Sequence, residues 1–358
     1  MSASAGRKAA AQPRTPVPAP ATRKRVNLAL QGGGAHGAFT WGVLDALLAD
    51  GRLEIEGLSG TSAGAMNAAM VVCGIAGGGP DAARRKLAAF WRAVAIDGEL
   101  QGPQRAIFDM LLGAWRLGSN GGAGWFGSFT PPMLSPSEFN PLDINPLRSV
   151  VESHIDFARV REHADPKLFV AATNVHTGKV RVFRGEELTA DMLMASAALP
   201  TLFKAVEVDG QPFWDGGYMG NPVLFPFFTE TKTEDIILVQ INPISRNETP
   251  ETSHDILERV NEITFNASLL HELRAIDFVR RLLDAGRLKD THYKRIRMHR
   301  IEAQDELRHF GASSKLQADW AFFTQLHDIG RQAGHRFLKQ HFDAIGVDGT
   351  LDLQAELA

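Results

Sequence analysis

The sequence predicts an α/β protein of three layers, in which helices cover both faces of a mostly parallel central sheet. Two consecutive units carry this prediction, because each has an apolar strand, a glycine-rich turn and a helix in that order. They are "VNLALQGGGAHGAFTWGVLDALL" at 26–48 and "LEIEGLSGTSAGAMNAAMVVCG" at 53–74. A third observation is the later segment "EDIILVQINP" at 234–243, which is apolar enough to form a strand buried on both faces.

The elements follow from hydrophobic spacing and from glycine and proline positions. In the first unit, 26–30 predicts a buried strand, and the apolar side chains from Phe39 to Leu48 recur with helical spacing until Asp50-Gly51 ends the helix. In the second unit, 53–58 predicts a strand and 63–72 a helix. Further along, the pattern predicts strands at 167–175, 179–183, 234–243 and 293–301, a hairpin turning at Asp209-Gly210, and helices at 190–200, 253–285 and 316–342.

Composition divides the chain into three parts. Residues 1–25 are rich in alanine and proline and carry basic side chains without an acid, so we expect a disordered basic tail. These basic residues are Arg7, Lys8, Arg14, Arg23, Lys24 and Arg25. Residues 26–300 are expected to form the main domain, with its motifs at 26–228 and an irregular, lid-like insertion at about 97–146 that is rich in glycine, proline and aromatic residues. Residues 301–358 are expected to be a helical extension packed on the same domain.

Several classes of protein are disfavoured by composition. The 358 residues are 44% hydrophobic and 22% charged with a net charge of −3, as in an ordinary globular protein. No signal peptide is recognisable, and the longest apolar run, at 68–76, is shorter than a membrane span, so we expect a cytoplasmic protein with peripheral membrane contact. A single cysteine, Cys73, fits a reducing compartment. The acidic main part argues against nucleic acid as a partner, and no metal-binding motif is present, so no metal is expected.

The first glycine-rich turn permits two interpretations. Gly32, Gly34 and Gly37 have the G-x-G-x-x-G spacing of a dinucleotide-binding turn, but such a site needs an acid at the end of the next strand. That position holds "GTSAG" instead, at 60–64. The alternative is that the backbone N–H groups of the glycine loop bind a developing oxyanion, since glycine allows close approach and positive φ.

The segment "GTSAG" is a G-x-S-x-G motif at a predicted strand-to-helix junction. This is the context in which the motif places a nucleophilic serine on a sharp turn. Gly60 and Gly64 flank Ser62 at the positions where side chains would collide with the neighbouring backbone. The N-terminus of the following helix favours negative charge at the same place.

A nucleophilic serine needs a base, and histidine and aspartate are both available. The chain has 12 histidines, so a Ser-His-Asp triad is compatible with its inventory. Surface or capping roles are expected for His154, His163, His176, His254, His271 and His335, and His36 is expected to face solvent or the adjoining helix. The other candidate is Asp215, which ends a predicted strand and is followed by Gly216 and Gly217 in "WDGGYMGNP".

Together, "GGGAHG" at 32–37, "GTSAG" at 60–64, "SAALP" at 196–200 and "DGG" at 215–217 resemble the patatin-like phospholipase family. The resemblance covers residues 26–228 and implies hydrolysis of fatty acyl esters of lipids through a Ser-Asp dyad, without a cofactor. It implies Ser62 as nucleophile and Asp215 as proton acceptor. The implied oxyanion hole consists of Gly32, Gly33, Gly34 and Ala35, and the implied structural glycines are Gly37, Gly60, Gly64, Gly216 and Gly217.

One departure and several alternatives accompany the resemblance. The family's loop usually has Arg or Lys where this chain has His36, so a group that titrates near neutrality is expected in place of a fixed charge. An acyltransferase or a storage-polyester depolymerase would share the dyad, and an oxidoreductase or a non-catalytic lipid-binding protein are more distant alternatives.

The insertion at about 97–146 has three possible roles: its side chains line an acyl tunnel, contact a lipid surface, or pack on the core. The side chains concerned are Trp115, Trp125, Phe126, Phe129, Met133 and Phe139.

Overall fold

The computed structural model describes residues 23–95, 136, 140, 143, 145–200, 202–246, 248–289, 292–308, 310, 314–315 and 317–358, apart from the side chains of residues 253, 254, 257 and 258. The predictions for the basic tail up to residue 22, and for the aromatic side chains of the insertion, fall outside these residues.

Eight strands of the described chain form one mixed sheet. They are β1 (Lys24–Leu30), β2 (Leu53–Gly60), β3 (Lys167–Asn174), β4 (Val180–Arg184), β5 (Val206–Val208), β6 (Gln211–Asp215), β7 (Asp235–Val239) and β8 (Arg297–Ile301). Their order is β5-β6-β3-β2-β1-β7-β8, with β4 also paired to β3. The neighbouring strands β3, β2, β1, β7 and β8 are parallel to one another, whereas β4, β5 and β6 join the sheet by antiparallel pairing. The prediction of a mostly parallel sheet is confirmed.

Helices connect the strands and follow the last of them. They are α1 (Gly37–Asp50), α2 (Ala63–Val94), α3 (Pro146–His154), α4 (Phe157–Glu162), α5 (Ala190–Ser196), α6 (Phe225–Glu230), α7 (Ser253–Asp284), α8 (Gln304–Leu307), α9 (Trp320–His341) and α10 (Leu353–Leu357). The backbone of α2 leaves helical geometry at Gly78 and Gly79, directly before Pro80. Proline lacks the N–H that would continue the helical ladder, so α2 consists of two helices joined at a kink.

The sheet separates two hydrophobic layers. Alternate residues of β7 face opposite sides: Ile237 and Val239 pack with α1, α2, α5 and α9, whereas Ile236 and Leu238 pack with α6, α7 and α10. Because both faces are buried, β7 is apolar from Ile236 to Val239 and β3 from Leu168 to Ala172. The predicted three-layer α/β/α arrangement is therefore confirmed.

The last long helix, α9, packs directly on α1. The two helices approach closely at Gly42, where a Cβ would collide with the His327 carbonyl, and at Gly330, where it would collide with the Phe39 carbonyl. Larger residues would hold the helices apart and open a cavity in this layer. On this packing we propose that residues 301–358 are an extension of the same domain.

Candidate active site

The sheet brings the three sequence motifs to one edge. Leu30 at the end of β1 pairs with Gly60 at the end of β2, so the turns that follow these parallel strands are neighbours. Gly60 also pairs with Val170 of β3, and Ala172, two residues further along β3, pairs with Asp215. Since β4 occupies the other side of β3, β6 lies on the same side of β3 as β2. The aspartate therefore lies just beyond the carboxyl end of β2.

Ser62 occupies a strained turn between β2 and α2. Its φ of 54° and ψ of −123° lie outside the regions that most non-glycine residues adopt. A Cβ at Gly60 would lie 2.5 Å from the Gly64 carbonyl oxygen, and a Cβ at Gly64 would collide with the Leu30 carbonyl. The Ser62 N–H donates to Ser196 Oγ at 2.9 Å. The turn therefore depends on both flanking glycines, as expected for a nucleophile elbow.

The helix N-terminus next to Ser62 favours negative charge. Helix α2 begins at Ala63, directly after the serine, and its dipole places partial positive charge there. Gly37, at the start of α1, lies against this helix end, and a Cβ there would be 2.7 Å from the Ala63 Cβ and 3.1 Å from the Trp91 ring. Gly37 thus lets the glycine loop pack against the beginning of α2.

Asp215 is buried beside Ser62. Its Oδ1 accepts a hydrogen bond from the Gly217 N–H at 2.7 Å. Burial raises the pKa of the Asp215 carboxyl to about 7, although the Gly217 N–H and the nearby Ser62 hydroxyl act in the opposite direction. The Asp215 backbone is fixed by bonds to the Ala198 carbonyl and from the Thr173 hydroxyl, each at 2.9 Å. The carboxyl is therefore poised to exchange a proton near neutral pH.

The two glycines after Asp215 lie in confined space. A Cβ at Gly216 would collide with the Ala171 carbonyl, and a Cβ at Gly217 would collide with the Phe265 ring of α7. Larger residues at either position would push the loop away from β3 and α7. The glycines thus keep the carboxylate at its place beside Ser62.

The glycine loop adjoins Ser62, and its N–H groups differ in what they bind. The Gly32 N–H donates to Asn221 Oδ1 at 2.7 Å. No acceptor among the described residues takes a hydrogen bond from the N–H of Gly33, Gly34 or Ala35. Because the Gly32 N–H is already engaged, we restrict the candidate oxyanion donors to these three residues.

His36 differs from its expectation. Its side chain is 3% exposed, lies beside the Phe310 and Phe322 rings, and is hydrogen-bonded through Nε2 to Ser314 Oγ at 2.7 Å. Burial, and then the nearby Lys315 charge, lower the pKa of His36 to about 3. The prediction of titration near neutrality is therefore wrong. Of the two environments expected for His36, solvent and the adjoining helix, solvent is excluded, because α9 and the segment before it cover the loop.

This buried histidine predicts a specific acid sensitivity. The unfolded chain gains a proton at residue 36 below about pH 6.5, whereas the folded protein does so only near pH 3, so acidification favours unfolding. His36→Gln removes this proton uptake. Between about pH 7 and 5 the parent should lose roughly 2 kcal/mol more unfolding free energy than the variant, measured by urea denaturation. Asp215, whose folded pKa is raised, acts in the opposite direction in both proteins. Parallel pH dependence of the two proteins would contradict the prediction.

The other histidines whose side chains are described do not bind the candidate dyad. Among the described residues, no histidine is hydrogen-bonded to Ser62 or Asp215. Of those expected at the surface, the side chain of His254 is outside the description, His176, His271 and His335 are exposed, and His154 and His163 are half-buried. The candidate base beside Ser62 is thus the Asp215 carboxylate.

Sequence inspection missed a cluster of buried amides beneath the glycine loop. Its members are Gln31, Asn221, Asn242 and Asn266. A polar side chain at the end of an apolar strand was an available signal for Gln31 after β1 and Asn242 after β7. Asn266 had none, because it lies on the long helix α7 among other polar residues.

Two absences concern the residues that the structure describes. Among them, no group of three or more His, Cys, Asp or Glu side chains is arranged to hold a metal ion. No helix in these described ranges combines the length and apolarity needed to cross a bilayer.

Comparison with known proteins shows the family of the chain. The structure of VipD from Legionella pneumophila aligns with 15% identity and a TM-score of 0.37, over 86% of this chain and 67% of VipD. No match is found among curated proteins. The family model described as patatin-like phospholipase matches residues 28–228, which contain the glycine loop, the serine elbow and Asp215. Since that match spans more than half of the sequence, the chain belongs to the patatin-like phospholipase family.

Proposed function

We propose that this protein is a serine acyl hydrolase that cleaves fatty acyl esters of phospholipids and related lipids through Ser62 and Asp215. The observation that carries the proposal is the position of the Ser62 hydroxyl beside the buried Asp215 carboxyl, whose pKa is raised to about 7. An ordinary aspartate is a weak base, with a pKa of about 3.9. Desolvation makes this carboxylate basic enough to accept the serine proton near neutral pH.

The proposed reaction forms and hydrolyses an acyl-enzyme. Ser62 Oγ attacks the ester carbonyl carbon while its proton moves to Asp215. Collapse of the tetrahedral intermediate breaks the bond to the alcohol, which leaves with the proton from Asp215. Water then attacks the acyl-enzyme, giving its proton to Asp215, and the proton returns to Ser62 as the fatty acid departs. The dipole of α2 and the free loop N–H groups would stabilise the oxyanion in both steps.

The donors we propose for the oxyanion are the N–H groups of Gly33, Gly34 and Ala35. Gly34 has a φ of +58°, and a Cβ there would collide with the Lys315 carbonyl. Gly34→Ala should therefore shift the loop and lower kcat about 10²-fold, as the loss of an oxyanion donor does elsewhere.

A matched control for Gly34→Ala is Gly178→Ala. Gly178 has a similar φ of +64° but nothing within 4 Å of its Cβ position. Both changes carry the cost of a left-handed alanine, about 1 kcal/mol, but Gly178→Ala should keep the parent kcat. A Gly34→Ala enzyme with the parent kcat would contradict the assigned donors.

The proposal is tested by identifying the products from a phospholipid. The protein is incubated with phosphatidylcholine vesicles that carry a labelled acyl chain, with and without a lipid alcohol as acceptor. We expect labelled free fatty acid and a lysophospholipid in both cases. A labelled ester of the alcohol as the main product would favour an acyltransferase, and no product from any acyl ester would contradict the proposal. Contact with the vesicle surface is part of the proposed function.

A further inference from the structure

Four buried amide side chains lie beneath the glycine loop. The reaction proposed above assigns them no role. Gln31, Asn221, Asn242 and Asn266 are each at most 2% exposed. Burying an amide is unfavourable unless its donors and acceptors are paired, so such a cluster defines one arrangement of its neighbours. Two members of the cluster bind Gly32.

Gly32 is held on both sides by this cluster. Its N–H donates to Asn221 Oδ1 at 2.7 Å, and its carbonyl oxygen accepts from Asn242 Nδ2 at 2.9 Å. The Gly32 carbonyl and the Gly33 N–H belong to one planar peptide and, in the trans form, point in opposite directions. The bond from Asn242 therefore turns the Gly33 N–H away from the buried cluster.

The orientation of Asn242 is itself fixed. Gln31 Oε1 accepts from the backbone N–H of Asn242 at 2.9 Å and from its Nδ2 at 3.3 Å. Gln31 Nε2 in turn donates to Asn266 Oδ1 at 3.1 Å, and Asn266 Nδ2 donates to the Pro243 carbonyl at 2.9 Å. The amide group of Asn242 thus has one available direction.

Lys315 adds a positive charge to this arrangement. Its Nζ donates to Asn242 Oδ1 at 2.7 Å, and its carbonyl lies against Gly34. The ammonium, the Asn242 amide and the Gly32–Gly33 peptide therefore form a chain in which each group donates to the next. Hydrogen bonds aligned in this way polarise one another, with the cation at one end and the Gly33 N–H at the other.

We propose that Asn242 and Lys315 are positioning residues that orient and polarise the Gly33 N–H toward the oxyanion. This inference rests on the proposed function, since it assigns a role within the same reaction. Negative charge appears on the carbonyl oxygen only in the transition state and the intermediate. The effect therefore belongs to kcat, and KM should change little.

The test compares lysine variants in the hydrolysis of a soluble p-nitrophenyl ester. Lys315→Met keeps the aliphatic stem and removes the charge and the donor, so kcat should fall about tenfold, less than on loss of a whole oxyanion donor. Lys315→Arg should restore most of kcat. The control is Lys294→Met: Lys294 is also half-buried and donates to backbone carbonyls, those of Phe227 and Thr231, at the opposite edge of the sheet. It should retain the parent kcat.

A second variant tests the orienting amide. Asn242→Leu leaves the Gly32 carbonyl without its donor, and kcat should fall at least as far as in Lys315→Met. If Asn242→Leu does not fold, the lysine series alone decides. Parent kcat in Lys315→Met, or an equal loss in Lys294→Met, would overturn the inference. A folded parent that cleaves no ester would instead contradict the proposed function, so the two failures are distinguishable.

Discussion

Ser62→Ala is expected to abolish ester hydrolysis, with kcat at least 10⁴-fold below the parent, because the variant has no nucleophile to form the acyl-enzyme. Alanine keeps the Cβ and therefore the strained backbone at φ 54°, so the elbow should be preserved. Loss of the hydroxyl removes a neighbour that lowers the pKa of Asp215. The carboxyl should then be more fully protonated at neutral pH and remain tolerated in its buried position.

The control for this substitution is another serine of the same segment. Ser59 is fully buried in β2, and its hydroxyl donates to the Val223 carbonyl at 2.6 Å. Ser59→Ala should lower the unfolding free energy by about 1 kcal/mol and keep the activity. Both variants are measured for fatty acid release and for urea unfolding. Residual activity of a few per cent in Ser62→Ala would contradict the role of Ser62.

Asp215→Asn should lower kcat about 10³-fold, within the range of lost general-base catalysis. The amide has nearly the same shape and its oxygen can still accept from the Gly217 N–H, but it cannot take the serine proton. In the parent, kcat/KM should rise with pH and level off above about pH 7, because the reactive form has an ionised Asp215. An aspartate with its ordinary pKa would give a flat profile over this range.

A matched control lies in the same hairpin. Asp209 is exposed in the turn between β5 and β6, with a φ of 51°, a conformation that asparagine also tolerates. Asp209→Asn should retain the parent kcat and pH profile. Full activity in Asp215→Asn, or a profile without an inflection near neutrality, would show that another group accepts the proton.

Much of the fold was predictable because its elements are locally specified. Strands β3 and β7 are apolar along most of their length, and the hairpin turns at Asp209-Gly210 as expected, with both residues at positive φ. Helix boundaries were less predictable where tertiary contacts set them. The first helix of α2 continues past the expected end at 72 to the break at Gly78 and Gly79, and α9 begins at Trp320 with Asp319 as its N-cap, after the expected start at 316.

The candidate site was predictable to the extent that its chemistry lies in short motifs. Ser62 and Asp215 each follow a predicted strand within a recognisable motif. The motifs taken together imply that these strand ends are neighbours in the sheet. The environment of His36 was not predictable, because Phe310, Ser314 and Phe322, which bury it, lie more than 270 positions away in the sequence. Lys315 was missed for the same reason. Such long-range contacts leave no periodic trace in the sequence near either partner.

The most direct test of the account is to label the folded protein with a fluorophosphonate and map the modified peptide. Such a probe reacts with a serine that is activated as a nucleophile. We expect one modification on the peptide that contains Ser62, none in Ser62→Ala and strongly slowed labelling in Asp215→Asn. A folded parent that remains unlabelled, or that carries the label on another residue, would contradict the claim that Ser62 is the activated nucleophile.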